Sequence, residues 1–365
     1  MVCSSVHTPL RSLALVVFLM GCGSDRTIDP TTDAGFATDS SGRADVDTGD
    51  VVWVINVVVA DGATGIQSYL DGASEDALYA ITTRFYETYD DEFDFLYLLA
   101  EVDHGTGRYS GAHRAAMPEN GLPSAADDPG WGSASRLKGV VALRLGDSGN
   151  GPTLHETSHH WGMFLDSSFG FGRDRTMNFG PHWGVASVNG QLGGFDRATL
   201  RCVSPDGAMP PCVPEAGGRI RYTVASFGPS ANGGDTVPYA PLELYLMGLV
   251  PASELSVPVA VLREADFIEV VPGEERMLFE ADGIDEVTIA DITAVHGEKT
   301  PLGPDERSLR GAFLLVTDEP ATDAAMEAAR RWSRVFGGVD SSPSLLSFEA
   351  ATGGRATMDT SIVRR

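Results

Sequence analysis

Two histidines four residues apart, with a glutamate directly after the first, constrain this chain more than any other feature. They are His155, Glu156 and His159, within residues 153–162. On a helix, positions i and i+4 lie on one face, so the two imidazoles can bind one metal ion while the glutamate lies beside it. The spacing predicts a helix that supplies two zinc ligands and a carboxylate able to act as general base on zinc-bound water.

A simpler explanation covers part of this pattern. Thr153 and Glu156 have the spacing of a capping box, in which the glutamate bonds back to the first turn and the histidines are merely packed. That explanation accounts for the glutamate but not for two histidines on one turn, so we favour the metal site.

A catalytic zinc ion normally has three protein ligands and leaves a fourth position to water. Two residues are candidates for the third ligand: His182, in the glycine-bracketed segment 180–184, and Glu243, in the apolar segment 239–249. The second segment predicts a helix with Glu243 in its first turn, where the helix dipole already explains a carboxylate. We therefore rank His182 first and keep Glu243 as the alternative.

Other polar residues near the motif are less suitable as ligands. His160 points about 100° away from His159 around a helix, and Asp166 lies one residue beyond the position that a longer zinc-peptidase motif requires. Tyr239 and Tyr245 are candidate donors to a developing oxyanion. Four further residues are expected to be exposed or structurally packed: His104, His113, His296 and Met247.

The N-terminal residues predict export. Arg11 precedes an apolar run at residues 13–20 that is too short to span a bilayer. The Leu-Met-Gly-Cys of residues 19–22 resembles the lipobox of bacterial lipoproteins, which implies cleavage before Cys22 and acylation of its thiol. An ordinary secretory signal is the alternative. By the same resemblance, Gly23 implies an outer-membrane or cell-surface location rather than retention at the inner membrane.

The cysteines agree with export. Cys3 leaves with the signal and Cys22 is acylated, so Cys202 and Cys212 remain as one pair, which an oxidising compartment makes a disulfide. A structural zinc site there would need two further ligands nearby.

Charge excludes one class of partner. The chain has 26 basic and 51 acidic residues, a formal net charge of −25, which opposes binding to nucleic acid and to anionic lipid surfaces. Membrane contact is then limited to the lipid at the N-terminus.

Composition and periodicity divide the chain into four parts. Residues 1–22 are the signal peptide, and residues 23–50 are a disordered acidic tether with too few large apolar residues to fold. Residues 51–250 form the catalytic region, and residues 251–365 form a C-terminal lobe of the same globular unit. Apolar runs predict strands at 51–60, 93–102, 138–145, 257–262, 267–271, 286–289 and 311–316, and helical patterns predict helices at 74–89 and 322–336.

These elements predict an α+β fold with a mixed sheet packed on the helix that carries the histidines. The strand at 138–145 leads through a short loop into that helix, so we expect its edge to line the cleft where an extended substrate could pair. Residues 104–135 are expected to be a loop.

Five segments together resemble a group of secreted bacterial proteins with zincin-like HExxH motifs. They are HETSHHWG at 155–162, GPHWG at 180–184, NGQLGGFD at 189–196, PYAPLELYLMGLVPASE at 238–254 and DITAVHGEKTPL at 291–302. The resemblance spans about residue 92 to the C-terminal region. It implies a zincin-like two-lobed fold and a zinc-dependent metallopeptidase that acts on a peptide or protein. Many members have serine where this chain has Ala240, which makes the nearby acid a capping partner and favours His182 as ligand.

The sequence thus predicts an exported zinc metallopeptidase with Glu156 as general base. Two alternatives stay open: a surface binding or scaffold lipoprotein with a structural or vestigial metal site, and a hydrolase that acts on another kind of bond. A closed shell containing His155, His159, His182 and Glu243 would favour the scaffold.

Overall fold

The computed structural model describes residues 52–56, 75–100, 111–115, 131–134, 136–146, 152–162, 165, 167–172, 175, 182–203, 218–225, 236–271, 276–317 and 320–362. The predicted signal peptide with Cys22, the predicted tether, His104, Asp166 and Cys212 lie outside these residues. None of the helices within the described ranges has the length and apolar character needed to cross a membrane.

The described elements are twelve strands, six α-helices and four 3-10 turns. The strands are β1 (Val52–Asn56), β2 (Phe95–Ala100), β3 (Gly111–Ala115), β4 (Gly139–Arg144), β5 (Arg201–Val203), β6 (Ile220–Ala225), β7 (Val259–Arg263), β8 (Asp266–Val270), β9 (Arg276–Ala281), β10 (Gly283–Val287), β11 (Ser308–Thr317) and β12 (Thr357–Asp359). The helices are α1 (Glu75–Tyr86), α2 (Pro152–Ser158), α3 (Pro241–Leu246), α4 (Ile289–His296), α5 (Asp323–Phe336) and α6 (Phe348–Ala351). The 3-10 turns are Ser167–Phe169, Arg197–Thr199, Ala252–Glu254 and Asp305–Arg307.

The main sheet has the strand order β1-β11-β2-β4-β3. All neighbours are parallel except β3, which runs antiparallel to β4. The long strand β11 pairs with β12 through Ser308–Arg310 and with β1 through Phe313–Thr317. The sheet therefore joins strands from both ends of the described chain, with β11 between β1 and β2.

Both faces of the main sheet are covered, as expected for parallel strands whose residues are uniformly apolar. Alternate side chains point to opposite faces. One face packs in a single core with residues of α2, α3 and α5, through Phe95, Tyr97, Leu99, Val141, Leu143, Phe313 and Leu315. The other face packs with residues of α1, through Leu96, Leu98, Ala100, Val140, Ala142, Leu314 and Val316.

Two smaller antiparallel sheets complete the fold. One has the order β5-β6-β9-β8 and the other pairs β10 with β7. The segment 185–187 lies along β7, through Leu262 N to Val185 O at 3.1 Å and Ser187 N to Ala260 O at 2.9 Å. The architecture is α+β with several sheets and few helices, as predicted at that level.

The predicted strands at 51–60, 93–102, 138–145, 257–262, 267–271 and 311–316 correspond to β1, β2, β4, β7, β8 and β11. The strand predicted at 286–289 overlaps β10 only at residues 286 and 287, because α4 begins at Ile289. The predicted loop at 104–135 was wrong in one part, because Gly111–Ala115, which includes His113, forms β3. The strand at 138–145, whose edge was expected to line the cleft, is not an edge strand. The structure places β4 between β2 and β3, and β3 is the outermost described strand on that side.

Candidate metal centre

The helix α2 carries His155, and His159 lies in the turn that follows it. The helix ends at Ser158, and the amide of His159 bonds to Glu156 O at 3.3 Å. Two hydroxyl groups near the helix end also bond to its carbonyls. Thr157 Oγ1 donates to Thr153 O at 2.6 Å, and Ser158 Oγ donates to His155 O at 2.7 Å. The helix is shorter than the motif implies, yet the two rings still meet.

The imidazoles of His155, His159 and His182 converge on one point. The Nε2 atom of His155 lies 2.9 Å from Nε2 of His182 and 3.2 Å from Nε2 of His159. One nitrogen from each ring lies within 4.8 Å of the other two. His155 is 2 % exposed and His182 8 % exposed, while His159 is half-buried. Two separate segments of the chain therefore supply three nitrogen donors that could hold a metal ion.

The donor spacing fits a tetrahedral metal shell. Zinc–nitrogen bonds of about 2.0–2.1 Å put two ligands of such a shell about 3.3 Å apart. The separations of 2.9 and 3.2 Å are close to this value. Histidine binds a metal in its neutral form, and burial lowers the pKa of His155 to about 3, with His182 beside it acting in the same direction. His155 is therefore neutral at physiological pH and available as a ligand.

A backbone carbonyl fixes the tautomer of His155. Its Nδ1 lies 2.5 Å from the carbonyl oxygen of Gln191. A carbonyl can only accept, so Nδ1 carries the proton and the lone pair of Nε2 faces the other two histidines. This is the arrangement in which a metal-binding histidine donates its second N–H to an outer partner.

The tip of a tight hairpin supplies that carbonyl. Gly190 and Gly193 exchange two backbone hydrogen bonds of 3.0 Å, which leaves Gln191 and Leu192 as the two tip residues. The carbonyl of Leu192 accepts from the amide of Trp183 at 2.9 Å, directly after His182. The hairpin therefore contacts both segments that carry the ligands.

Glu243 lies behind this hairpin and is not a member of the histidine cluster. It is 3 % exposed and accepts four hydrogen bonds: from Trp183 Nε1 at 2.9 Å, Gln191 N at 3.0 Å, Leu192 N at 2.8 Å and Ala240 N at 2.8 Å. The alternative in which Glu243 is the third ligand is corrected, because its two oxygens are already occupied by these donors. The third donor that the structure brings to His155 and His159 is His182.

Glu156 is also buried, at 2 % exposed, directly after His155 on α2. It therefore directly follows one member of the histidine cluster in the sequence, and burial of a carboxylate requires polar partners.

The hydroxyl groups of both candidate tyrosines form hydrogen bonds with the backbone. The hydroxyl of Tyr239 donates to Leu154 O at 2.8 Å and so holds α2, and the hydroxyl of Tyr245 accepts from Lys299 N at 2.9 Å. Both side chains are buried, at 3 % and 2 % exposed. Both tyrosines thus have a packing role around α2 and α3, and their role as oxyanion donors stays a prediction.

His160 and His296 are not members of the cluster. His160 is buried between Phe95 and Trp161, with ring centroids 5.6 and 4.9 Å away, and burial lowers its pKa to about 3. His296 is half-buried at the end of α4, near Phe169. Met247 is buried in the core, as expected.

Sequence reasoning missed the contributions of Trp183 and Gln191. A signal was present in the glycines at 190, 193 and 194, which mark a tight turn, but the sequence does not say what the turn contacts. Cys202 is in a disulfide bond, as predicted, and its predicted partner Cys212 lies outside the described residues.

No protein-family model, no curated protein and no solved structure matches this chain.

Proposed function

We propose that this protein is a zinc-dependent metallopeptidase with a zincin-like fold, exported and anchored by a lipid on Cys22 at the outer membrane or cell surface. The observation that carries the proposal is that Nε2 of His182 and Nε2 of His159 lie 2.9 and 3.2 Å from Nε2 of His155, with one nitrogen of each ring within 4.8 Å of the other two. Three imidazole nitrogens from two segments, with a fourth position left for water, are the ligand set of a catalytic zinc site.

A zinc ion held by these histidines would lower the pKa of bound water and polarise a carbonyl group. Glu156 would act as general base: its carboxylate takes a proton from water and gives it to the leaving amine. His159 is the most exposed of the three candidate ligands, so we expect substrate to approach from its side.

A peptide substrate is supported by the sheet. β3 is the outermost described strand of the main sheet next to β4, and it runs antiparallel to β4. α2 lies beside both strands. An extended peptide that adds to β3 would run past the histidines, with main-chain hydrogen bonds giving affinity.

Export is supported by the disulfide at Cys202, because such bonds persist in oxidising compartments. Mass spectrometry of the membrane fraction should find a diacylated Cys22 at the mature N-terminus. A soluble protein cut at another residue would contradict the anchor and leave the enzyme proposal intact.

The central test combines metal analysis with one isosteric change. We expect one zinc per purified chain, and Glu156→Gln should keep the zinc while hydrolysis of a peptide library falls about 100-fold or more. Unchanged hydrolysis in Glu156→Gln would contradict the role of the glutamate. A zinc-loaded wild type that cleaves no peptide would favour the binding or scaffold protein.

A matched pair of histidine variants tests the ligand set. His182→Ala should lose zinc, because only two nitrogens of the cluster remain. His296→Ala should keep zinc, since His296 lies at the end of α4 outside the cluster. Equal zinc contents in the two variants would contradict the assignment of His182.

A further inference from the structure

We propose that Glu243 is a positioning residue of the metal centre, which acts on His155 and His182 through the hairpin tip formed by Gln191 and Leu192. The inference rests on the metal site of the proposed function, and it assigns to Glu243 a role other than ligand. It follows from the hydrogen bonds that connect the carboxylate to both ligand segments.

The first connection passes through one peptide group. The amide between Gln191 and Leu192 donates its N–H to Glu243 Oε1 at 2.8 Å, and its carbonyl accepts from His155 Nδ1 at 2.5 Å. The same planar group therefore lies between a carboxylate and an imidazole. Because hydrogen bonds in a chain polarise one another, the negative charge of Glu243 strengthens the acceptor that orients His155.

The second connection reaches the other ligand segment. Trp183, directly after His182, donates its indole N–H to Glu243 at 2.9 Å and its backbone N–H to Leu192 O at 2.9 Å. One carboxylate thus fixes both the side chain and the backbone of the residue beside His182. Its remaining contacts are the amides of Gln191 and Ala240, so the start of α3 is held in the same way.

The hairpin is shaped to admit the carboxylate. A Cβ added to Gly190 would lie 2.2 Å from Glu243 Oε2, so only glycine lets the backbone come this close. The four donors to Glu243 are neutral N–H groups, and no arginine or lysine is among them. The carboxylate charge is therefore solvated by fixed N–H dipoles in or beside the segments that carry the ligands. Outer hydrogen-bond partners of this kind fix the orientation of metal-binding histidines.

The test compares two buried carboxylates with the same isosteric change. Glu243→Gln keeps the shape but presents an NH₂ group to N–H donors, so the hairpin and both ligand segments must shift. Asp94→Asn is the matched control, because Asp94 is 1 % exposed and its carboxylate accepts from Arg136 and Arg310 N, neither of which belongs to the hairpin tip or to a segment that carries a candidate ligand. Zinc affinity is measured by chelator competition on the full-length protein, and the site is monitored by the visible absorption of the Co²⁺-substituted protein.

We expect Glu243→Gln to weaken zinc binding about 10- to 100-fold and to change the Co²⁺ spectrum, as removal of an outer partner typically does. Asp94→Asn should leave both unchanged even where it lowers the unfolding midpoint. Trp183→Phe, which removes one of four donors and keeps an aromatic ring, should weaken zinc binding by less than Glu243→Gln. It decides the question alone if Glu243→Gln does not fold.

One outcome would overturn only the positioning role of Glu243, and another would overturn the metal site itself. Zinc binding by the wild type, with equal affinity in Glu243→Gln and Asp94→Asn or no loss in Trp183→Phe, would remove the positioning role and leave the metal site standing. Absence of zinc binding by the wild type would overturn the metal site itself, and the positioning role with it.

Discussion

Glu243 and Asp94 are both almost completely buried, and their surroundings differ. Glu243, at 3 % exposed, is solvated by four neutral N–H groups. Asp94, at 1 % exposed, accepts from the Arg136 guanidinium at 2.7 Å and from Arg310 N at 2.8 Å. Burial raises the pKa of both carboxyl groups, and hydrogen bonds oppose that rise in each case. One charge is balanced by dipoles and the other partly by a cation.

The difference shows what each arrangement permits. Arg136 is 44 % exposed, so it can return to water if Asp94 is lost. The amides around Glu243 belong to a hairpin tip and a helix start, so they cannot move to solvent independently. We therefore expect the loss of the Asp94 carboxylate to destabilise the fold less than the loss of the Glu243 carboxylate, whose donors are fixed in the hairpin tip and at the start of α3.

Alanine at each position gives the largest expected effect. Glu243→Ala leaves four buried N–H groups without an acceptor, at about 1–3 kcal/mol each, so we expect it to lower the unfolding free energy by about 5 kcal/mol or more. Asp94→Ala should lose about half as much, since Arg136 can be hydrated and one amide is left. Urea denaturation of the metal-free proteins measures both values, and equal losses would contradict the contrast.

His160 lies between the two regions. Its ring packs on Phe95, beside Asp94, and its backbone continues the turn of His159. Burial lowers its folded pKa to about 3, whereas an unfolded histidine titrates near about 6.5. As pH falls below the unfolded value, the unfolded chain binds a proton here that the folded protein does not. Stability from this group is therefore present above the unfolded pKa and lost as pH falls toward the folded pKa.

The His160→Gln variant has no group that titrates at this position, so it does not show this loss of stability as pH falls. The plot of unfolding free energy against pH for the metal-free protein should be shallower by about 1.4 kcal/mol per pH unit between the two pKa values. His296→Gln, at a half-buried position, is the control. Parallel plots for wild type and His160→Gln would mean that His160 is protonated in the folded protein.

The smallest effect is expected at Arg136. The Asp94–Arg136 pair has a half-exposed partner, so solvent screens it and Arg136→Gln should cost about 0.5–1 kcal/mol at low salt and less at high salt. No such salt dependence is expected for Glu243→Gln, since its donors are uncharged. Chemical denaturation at two salt concentrations separates the two cases, and an equal response to salt would weaken the comparison.

Much of the fold could be predicted because its strongest signals are local. The central strands are uninterrupted apolar runs, and α5 begins after Thr322, whose hydroxyl accepts from Ala325 N. β3 was missed because Gly-Ala-His-Arg-Ala has no apolar alternation, and only pairing with β4 makes it a strand. Tertiary context decides such segments.

The same distinction between local signals and tertiary context applies to the candidate site. The spacing of His155 and His159 is a property of one helical turn and could be predicted from the sequence. His182 could be ranked first only by setting aside Glu243. Glu243 does bond to the start of its helix, through Ala240 N, as a first-turn acid is expected to. Its bonds to Trp183 and to the hairpin tip cross 51 to 60 residues of sequence, and no local pattern reports them.

The position of β11 in the main sheet has a consequence for biosynthesis. Residues 308–317 lie between β1 and β2, so a nascent chain elongated only to residue 300 has both neighbours but lacks the strand that joins them. The long separation between these partners delays closure of the sheet until most of the polypeptide has been made. The main sheet can therefore be completed only after residues 308–317 have been synthesised.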